Sequence, residues 1–343
     1  MRTYRLFDRI LSSSIPLPEL PIADGASTDF EFLLQPAHSG ERPGAAWFHH
    51  WKDGRGAAWM SVARLTDEYL LRFHTQADFH VSNDGRRISC TPIPSIPHET
   101  LRHLLLDQVM PVVLGHQGQL VLHASSVETT HGAIVFLGAT GQGKSTVSAG
   151  LAQAGFPLLA DDCLLLRRER TDWLSVPSYV GLRLWDDVAT RLFDPATDAV
   201  PVSHYSQKKR LRLTDGLLPF RTQPLRVCRA YVLDSPSGMA GEPEVLVTRL
   251  TSGEAFGAFC SSAFRLDITD RARLRVQFDQ LGHLAAAIPT RRLAFPRTLS
   301  IFNAIRRAIL ADLESDTHSI SPWRRADVPL EHRDAPAYHH LEG

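Results

Sequence analysis

Cysteine is scarce, neither sign of charge predominates, and long apolar runs are missing. The 343 residues include 4 cysteines, Cys90, Cys163, Cys228 and Cys260. Their scatter matches no zinc motif, and four are too few for a disulfide scaffold at this length. Reduced thiols and a cytoplasmic location are therefore expected. The 37 Lys and Arg residues balance 37 Asp and Glu. A formal net charge of zero gives no overall pull towards nucleic acid or anionic lipid, and neither is expected as a partner. No stretch reaches the roughly 18 apolar residues from which a membrane helix is read. The opening MRTYRLFDRILSSSIPLPELP lacks the apolar core of a signal peptide. No internal repeat is present.

What is there is the composition of a soluble globular protein, 43% apolar and 22% charged. The length suggests two domains or one large one. Residues 1 to about 95 read as β-rich. EYLLRF is strand-like, and ADFHVSNDGRRISCTP reads as two strands joined at Asn83-Asp84-Gly85. HETLRHLLLDQVMPVVLG has helical spacing, with Pro97 suited to its start and Pro111 expected to kink or end it. The pattern then changes to short apolar runs, QLVLHA, AIVFLG and FPLLADD, with a helix STVSAGLAQAG between the last two. Strand, helix and strand of that length suggest a βαβ unit in an open parallel sheet. Downstream, LRVCRAYVLDS and EVLVTRL read as strands, and ITDRARLRVQFDQLGHLAAAI and TLSIFNAIRRAILADLES as amphipathic helices. The chain divides into a β-rich N-terminal domain with a linking helix (1–117), an α/β domain (118–314) and a polar tail (315–343), expected to be mobile or to pack only on a partner.

Residues 138–145, GATGQGKS, fit G-x-x-x-x-G-K-[ST] and stand between a strand and a helix. Gly138, Gly141 and Gly143 let the backbone wrap tightly. The N–H groups of Ala139, Thr140, Gln142 and their neighbours can then turn inward onto phosphate. The start of the helix at Ser145-Thr146 adds partial positive charge. Lys144 reaches the β- and γ-phosphates, and the Ser145 hydroxyl can ligate Mg²⁺. The loop predicts a nucleoside triphosphate site.

Asp161-Asp162 ends the apolar run FPLLA. At the carboxyl end of a strand, the pair falls beside the loop. One carboxylate can hold the metal and the other accept a proton from an attacking hydroxyl. Mutual repulsion raises the pKa of one of them, which favours a base. His123 follows QLVL, 21 residues before Lys144. If QLVL and AIVFLG are neighbouring strands, it approaches the phosphates; on its chemistry alone a hydrogen-bonded core histidine is the better reading.

These residues together resemble the HPr serine kinase/phosphorylase family and its relatives. The shared features are a histidine 21 residues before the loop lysine, aspartates 17 and 18 residues after it, and GFPLLADDC. The resemblance covers roughly residues 118 to 215. It implies a P-loop kinase core of the HPr kinase type, with ATP and Mg²⁺, in the α/β domain. Asp162 would be the proton acceptor, Asp161 a metal-site acid with Ser145, and His123 an auxiliary group near the phosphates. The family's downstream segment with a metal-binding glutamate has no counterpart in SVPSYVGLRLWDD. LHASSVE, PSYVGLRLW, HYSQKKRLRL and PTRRLAFPR resemble more closely the HPr-kinase-related proteins. Some of those phosphorylate the C-terminal serine of lasso peptide precursors. The bacterial relatives form rings, so a homo-oligomer is compatible with the resemblance.

Arg183 and Lys208-Lys209-Arg210 are either cations near a transferring phosphoryl group or a solvated basic edge. Arg291, Arg292 and Arg297 read as surface charge rather than as contacts to an acidic peptide or a neighbouring subunit, and His49-His50-Trp51 as surface or core filler without a metal-ligand pattern. The leading expectation is an ATP-dependent kinase for a serine hydroxyl on a peptide or small protein. A small-molecule hydroxyl kinase and a nucleotide-binding regulator without phosphotransfer are the alternatives.

Overall fold

The computed structural model describes residues 1–317, apart from 25–26, 53–55, 180, 195–198, 205, 212–217, 236–244, 297 and 299–300. The chain is a mixed α/β protein. Eight strands come first: β1 (Arg2–Leu6), β2 (Arg9–Ser13), β3 (Phe30–Leu34), β4 (Trp47–Lys52), β5 (Ala58–Arg64), β6 (Glu68–Phe73), β7 (Ala77–Ser82) and β8 (Arg87–Pro92). They form one sheet in the order β1-β2-β3-β8-β7-β6-β5-β4. EYLLRF is β6, and the β7–β8 hairpin turns where Asn83-Asp84-Gly85 directs it. Gly85 has φ 73°, a conformation its missing Cβ makes inexpensive, and its N–H reaches the Ser82 carbonyl at 2.8 Å.

The linking helix is α1 (His98–Leu104), a π-helical turn (Leu105–Val109) and α2 (Met110–His116). Pro111 does not end it. A proline has no N–H for the carbonyl four residues back, here Asp107, and the widened turn before it makes room for the ring. Leu101, Leu104, Leu105, Val109 and Val113 pack into the same core as Phe32, Phe73 and Phe79 of the first sheet.

The rest comprises β9 (Leu120–Leu122), β10 (Ser125–Thr129), β11 (Gly132–Leu137), α3 (Lys144–Gln153), β12 (Leu158–Ala160), β13 (Leu164–Glu169), β14 (Asp172–Val176), β15 (Leu182–Trp185), α4 (Asp186–Leu192), β16 (Ala199–Pro201), β17 (Lys208–Leu211), β18 (Leu225–Asp234), β19 (Leu246–Arg249), α5 (Ser252–Ser262), α6 (Arg271–Ala287), β20 (Thr290–Ala294) and α7 (Phe302–Thr317). A second sheet runs β12-β10-β11-β18-β14-β13-β9, with β20 beside β18 and β19 beside β20. A small sheet, β15-β17-β16, stands apart.

Strand alternation covers both faces of the second sheet. Ile134 and Phe136 of β11 join α3 and α7 through Val147, Leu151, Ile305 and Ile309. Ala133, Val135 and Leu137 join α5 and α6 through Phe259, Leu281 and Leu284. Burial on both faces explains why β11 reads as an unbroken apolar run.

Two expectations are corrected. The sheet is not openly parallel: among the described residues only β11–β18 and β18–β20 pair in parallel within it. β10 lies between β11 and β12, antiparallel to both. QLVL and AIVFLG are not neighbours either, since β9 pairs with β13. α7 continues to Thr317, and the remainder of the expected polar tail, residues 318–343, lies outside the described residues. Among the described residues no helix is long and apolar enough to cross a membrane.

Candidate functional site

The glycine loop joins β11 to α3. Gly141 and Gly143 have φ of 84° and 93°, left-handed values that turn consecutive N–H groups to one side. Gln142 ties the loop off, its Oε1 accepting from the Ala139 N–H at 2.6 Å. Lys144, the first residue of α3, is buried; its Nζ donates to the carbonyls of Gly138 at 2.8 Å and Ala139 at 3.4 Å. Burial lowers its pKa, against the pull of Asp162 and Asp161. The cradle has donors and a cation for an anion such as phosphate, and the lysine meanwhile satisfies itself on its own loop.

Asp161 and Asp162 lie between β12 and β13. Asp162 has φ 61°, a left-handed value that Asp tolerates better than most residues. That twist turns the two carboxylates into different surroundings. Asp161 accepts the Arg183 backbone N–H on Oδ2 at 3.1 Å, while its buried Oδ1 has no partner. Burial, and then the charge of Asp162, push its pKa up to about 6. Burial would raise Asp162 too, but Arg183, followed by His123, Lys208 and Lys144, outweighs it and holds this carboxyl well below the usual range. The raised pKa expected for one member of the pair therefore falls on Asp161, not on Asp162, the residue assigned as base. Arg183 makes the difference, since its Nη1 donates to Asp162 Oδ2 at 3.0 Å.

His123 reaches the site through β13, whose Leu164 pairs with Leu122. Its Nδ1 lies 3.2 Å from the Asp162 carbonyl oxygen, and its buried Nε2 has no partner. Burial lowers its pKa. Lys208 of β17 places Nζ 4.0 Å from Asp162 Oδ2 and 5.8 Å from the Trp185 ring centroid. His123, Thr140, Gly141, Gly143, Lys144, Ser145, Thr146, Asp162, Arg183 and Lys208 all line one cavity. Asp161 stands behind it, hydrogen-bonded to the Arg183 backbone. Gln142 opens instead onto an adjoining chamber of about 750 Å³, with Trp185, Val188, Phe295 and Phe302.

The basic cluster divides three ways, so it is not a uniform solvated edge. Lys208 faces the cavity, Lys209 pairs with Asp186 at 2.5 Å, and Arg210 is buried against Glu19 and Asp107. Arg291 is not surface charge: it is buried, with Nε 2.9 Å from Asp312. Arg292 is half-exposed near Asp234 and Glu254, and Arg297 lies outside the described residues. His50 donates to or accepts from Ser61 at 2.7 Å, in a chain that ends on His74.

Sequence reasoning missed Asp107, Glu19 and Tyr179. Arg183 Nη2 contacts Asp107 Oδ1 at 2.5 Å and the Tyr179 hydroxyl. The signal for Asp107 was a lone carboxylate within an apolar helical run, LLLDQVM, which burial would force to find a cation.

No protein-family model matches the chain, and no curated protein matches it. Among solved structures, the chain is similar to the HPr(Ser) kinase/phosphatase from Coxiella burnetii. The identity is 15% and the TM-score 0.29, and the match covers 56% of this chain and 97% of that one.

Proposed function

We propose that the chain is an ATP-dependent kinase that phosphorylates a serine hydroxyl of a peptide or small protein, a ribosomally made precursor of the lasso type being the leading candidate. The observation that carries the reading is one cavity lined by the glycine loop, Lys144, Ser145, Asp162, His123, Arg183 and Lys208. Phosphoryl transfer needs a phosphate cradle, charge neutralisation and a positioned hydroxyl acceptor, and little else. The adjoining chamber, with its aromatic walls, is large enough for a nucleobase. The peptide preference and the serine rest on the family resemblance of the loop, the aspartate pair and His123.

The residues fit Mg²⁺. Asp161 Oδ1 is a buried oxygen without a partner, and Ser145 and Asp161 form an oxygen donor set of the kind this hard cation takes. Bound there, the ion would neutralise charge on the phosphates. Lys144 exchanges its loop carbonyls for phosphate oxygens, and the loop N–H groups hold the remainder. Arg183 and Lys208 supply positive charge where it develops in the transition state. Asp162, ionised and fixed by Arg183, accepts the hydrogen bond of the incoming hydroxyl and orients it.

Incubation with ATP, Mg²⁺ and candidate precursor peptides, read by mass, tests the reading. A peptide that gains one or more phosphates is expected. Phosphate only on a small metabolite would favour the small-molecule kinase, and nucleotide binding with no phosphorylated acceptor would favour the regulator.

A further inference from the structure

Five buried or nearly buried charges of alternating sign run from the first sheet to the cavity. Glu19 Oε1 accepts from Arg210 Nη1 at 2.7 Å and from Arg102 Nε at 2.8 Å. Arg210 Nη2 donates to Asp107 Oδ2 at 3.2 Å. Asp107 Oδ1 accepts from Arg183 Nη2 at 2.5 Å, and His103 Nδ1 lies 2.6 Å from Oδ2. Arg183 Nη1 ends the chain on Asp162 at 3.0 Å. The side chains of Asp107 and Arg183 are each 2% exposed.

Stability alone does not account for such a chain. Buried ion pairs recover little more than their desolvation cost, and apolar side chains of similar volume commonly serve the fold as well. What the chain fixes is orientation. Arg183 is held from one side by Asp107 and Tyr179, and this leaves Nη1 aimed at Asp162 while its backbone N–H holds Asp161. Asp107 sits in the π-helical turn, a widening of the kind often found at functional positions. Glu19 belongs to the segment after β2, so the first sheet takes part.

We infer that Asp107 is a positioning residue for the aspartate pair, acting through Arg183, and that Glu19 and Arg210 anchor it, so that the N-terminal β-rich region completes the phosphotransfer site. The inference rests on the kinase reading for its rate consequences but not for its geometry. A purely structural Asp107 would lower the amount of folded protein. A positioning Asp107 lowers kcat in protein that still folds and binds nucleotide.

The test is a double-mutant cycle on the full chain, with ATP, Mg²⁺ and the phosphorylated peptide as readout. Asp107→Asn is expected to lower kcat by about tenfold or more and to leave KM for ATP within about threefold. In an Arg183→Lys background the same change is expected to alter kcat by less than about twofold, because its effect passes through Arg183. Unchanged kcat in Asp107→Asn, or losses that multiply, would overturn the inference. If Asp107→Asn fails to fold, Glu19→Gln decides: about a threefold or larger fall in kcat at unchanged KM is expected, and an unchanged kcat overturns it. If the wild-type chain transfers no phosphate at all, the kinase reading is what fails. Hydrogen exchange at the Arg183 amide then decides the positioning claim: faster exchange in Glu19→Gln supports it, and an unchanged rate overturns it.

Discussion

The Nδ1 of His123 lies 3.2 Å from the carbonyl oxygen of Asp162. A carbonyl only accepts, so Nδ1 carries the proton and Nε2 keeps a lone pair, buried and without a partner beside the cavity. Burial is the main force holding the ring neutral, with a pKa below 6.5. The unfolded chain therefore takes up this proton more readily than the folded one. The stability that follows is complete above 6.5 and is lost as pH falls through that value towards the depressed one. His123→Asn keeps a donor for the Asp162 carbonyl and cannot titrate. Its melting temperature is expected to depend less on pH than the wild type's between about pH 5 and 7. His49, His74 and His116, also lowered mainly by burial, leave some slope in place. An unaltered slope would show that His123 is not held neutral.

Asp161 has the opposite sign. Its folded pKa is raised from 3.8 to about 6, so its contribution to stability is present below 3.8 and is lost as pH rises through 6. At neutral pH the ligand-free protein carries the cost of a buried, ionised carboxylate. Asp161→Asn is expected to stabilise the ligand-free protein at pH 7, on the order of 1–3 kcal/mol. The gain should vanish towards acid pH, and the Mg²⁺ requirement for turnover should rise. Thermal melts at two pH values and a Mg²⁺ titration of the rate check both halves. A variant destabilised at neutral pH would count against the environment described for Asp161.

How far the sequence reveals this site depends on the range of the contacts. The glycine loop is a local object, a strand, a turn and a helix start within about fifteen residues, and its pattern can be read in one pass. His123 and the aspartate pair were singled out by the spacing they share with the family, while the strand pairing that brings them together, β9 with β13, was not foreseen. β10 escaped notice because SSVET looks like a loop. In the fold Ser125 and Ser126 are buried, and they find partners in Ser148 at 2.7 Å and Ser175 at 3.0 Å. Asp107, Glu19 and Arg210 meet only through tertiary packing across some 190 positions. No periodicity reports such a meeting, and only the cost of burying a lone charge hints at it.

Lys144→Ala removes a cation that now rests on the carbonyls of Gly138 and Ala139. The backbone N–H groups of the loop remain, so residual nucleotide binding is expected while turnover is lost. Fluorescent-nucleotide binding and peptide phosphorylation, measured on the same preparation, separate the two effects. Phosphotransfer at the wild-type rate in this variant would sink the assignment of the loop.

Asp162→Asn should divide binding from chemistry. The amide has nearly the same size, its oxygen can still accept from Arg183, and Asp107 and Tyr179 hold that arginine from the other side. The fold and the nucleotide site are therefore expected to survive, with ATP affinity near the wild-type value. On the proposed kinase reading, what is lost is the charge that accepts the hydroxyl's hydrogen bond and orients it, a role typically worth on the order of 10²–10⁴ in rate. The depressed pKa sharpens the expectation. A carboxylate held ionised by Arg183 stays ionised across the working range, so wild-type kcat should show no acid limb arising from Asp162 above about pH 4. Single-turnover transfer at saturating ATP and Mg²⁺, across pH, reads both statements. A wild-type rate in Asp162→Asn would remove Asp162 from the chemistry and leave His123 Nε2, the unpartnered acceptor on the same cavity, as the group to examine next.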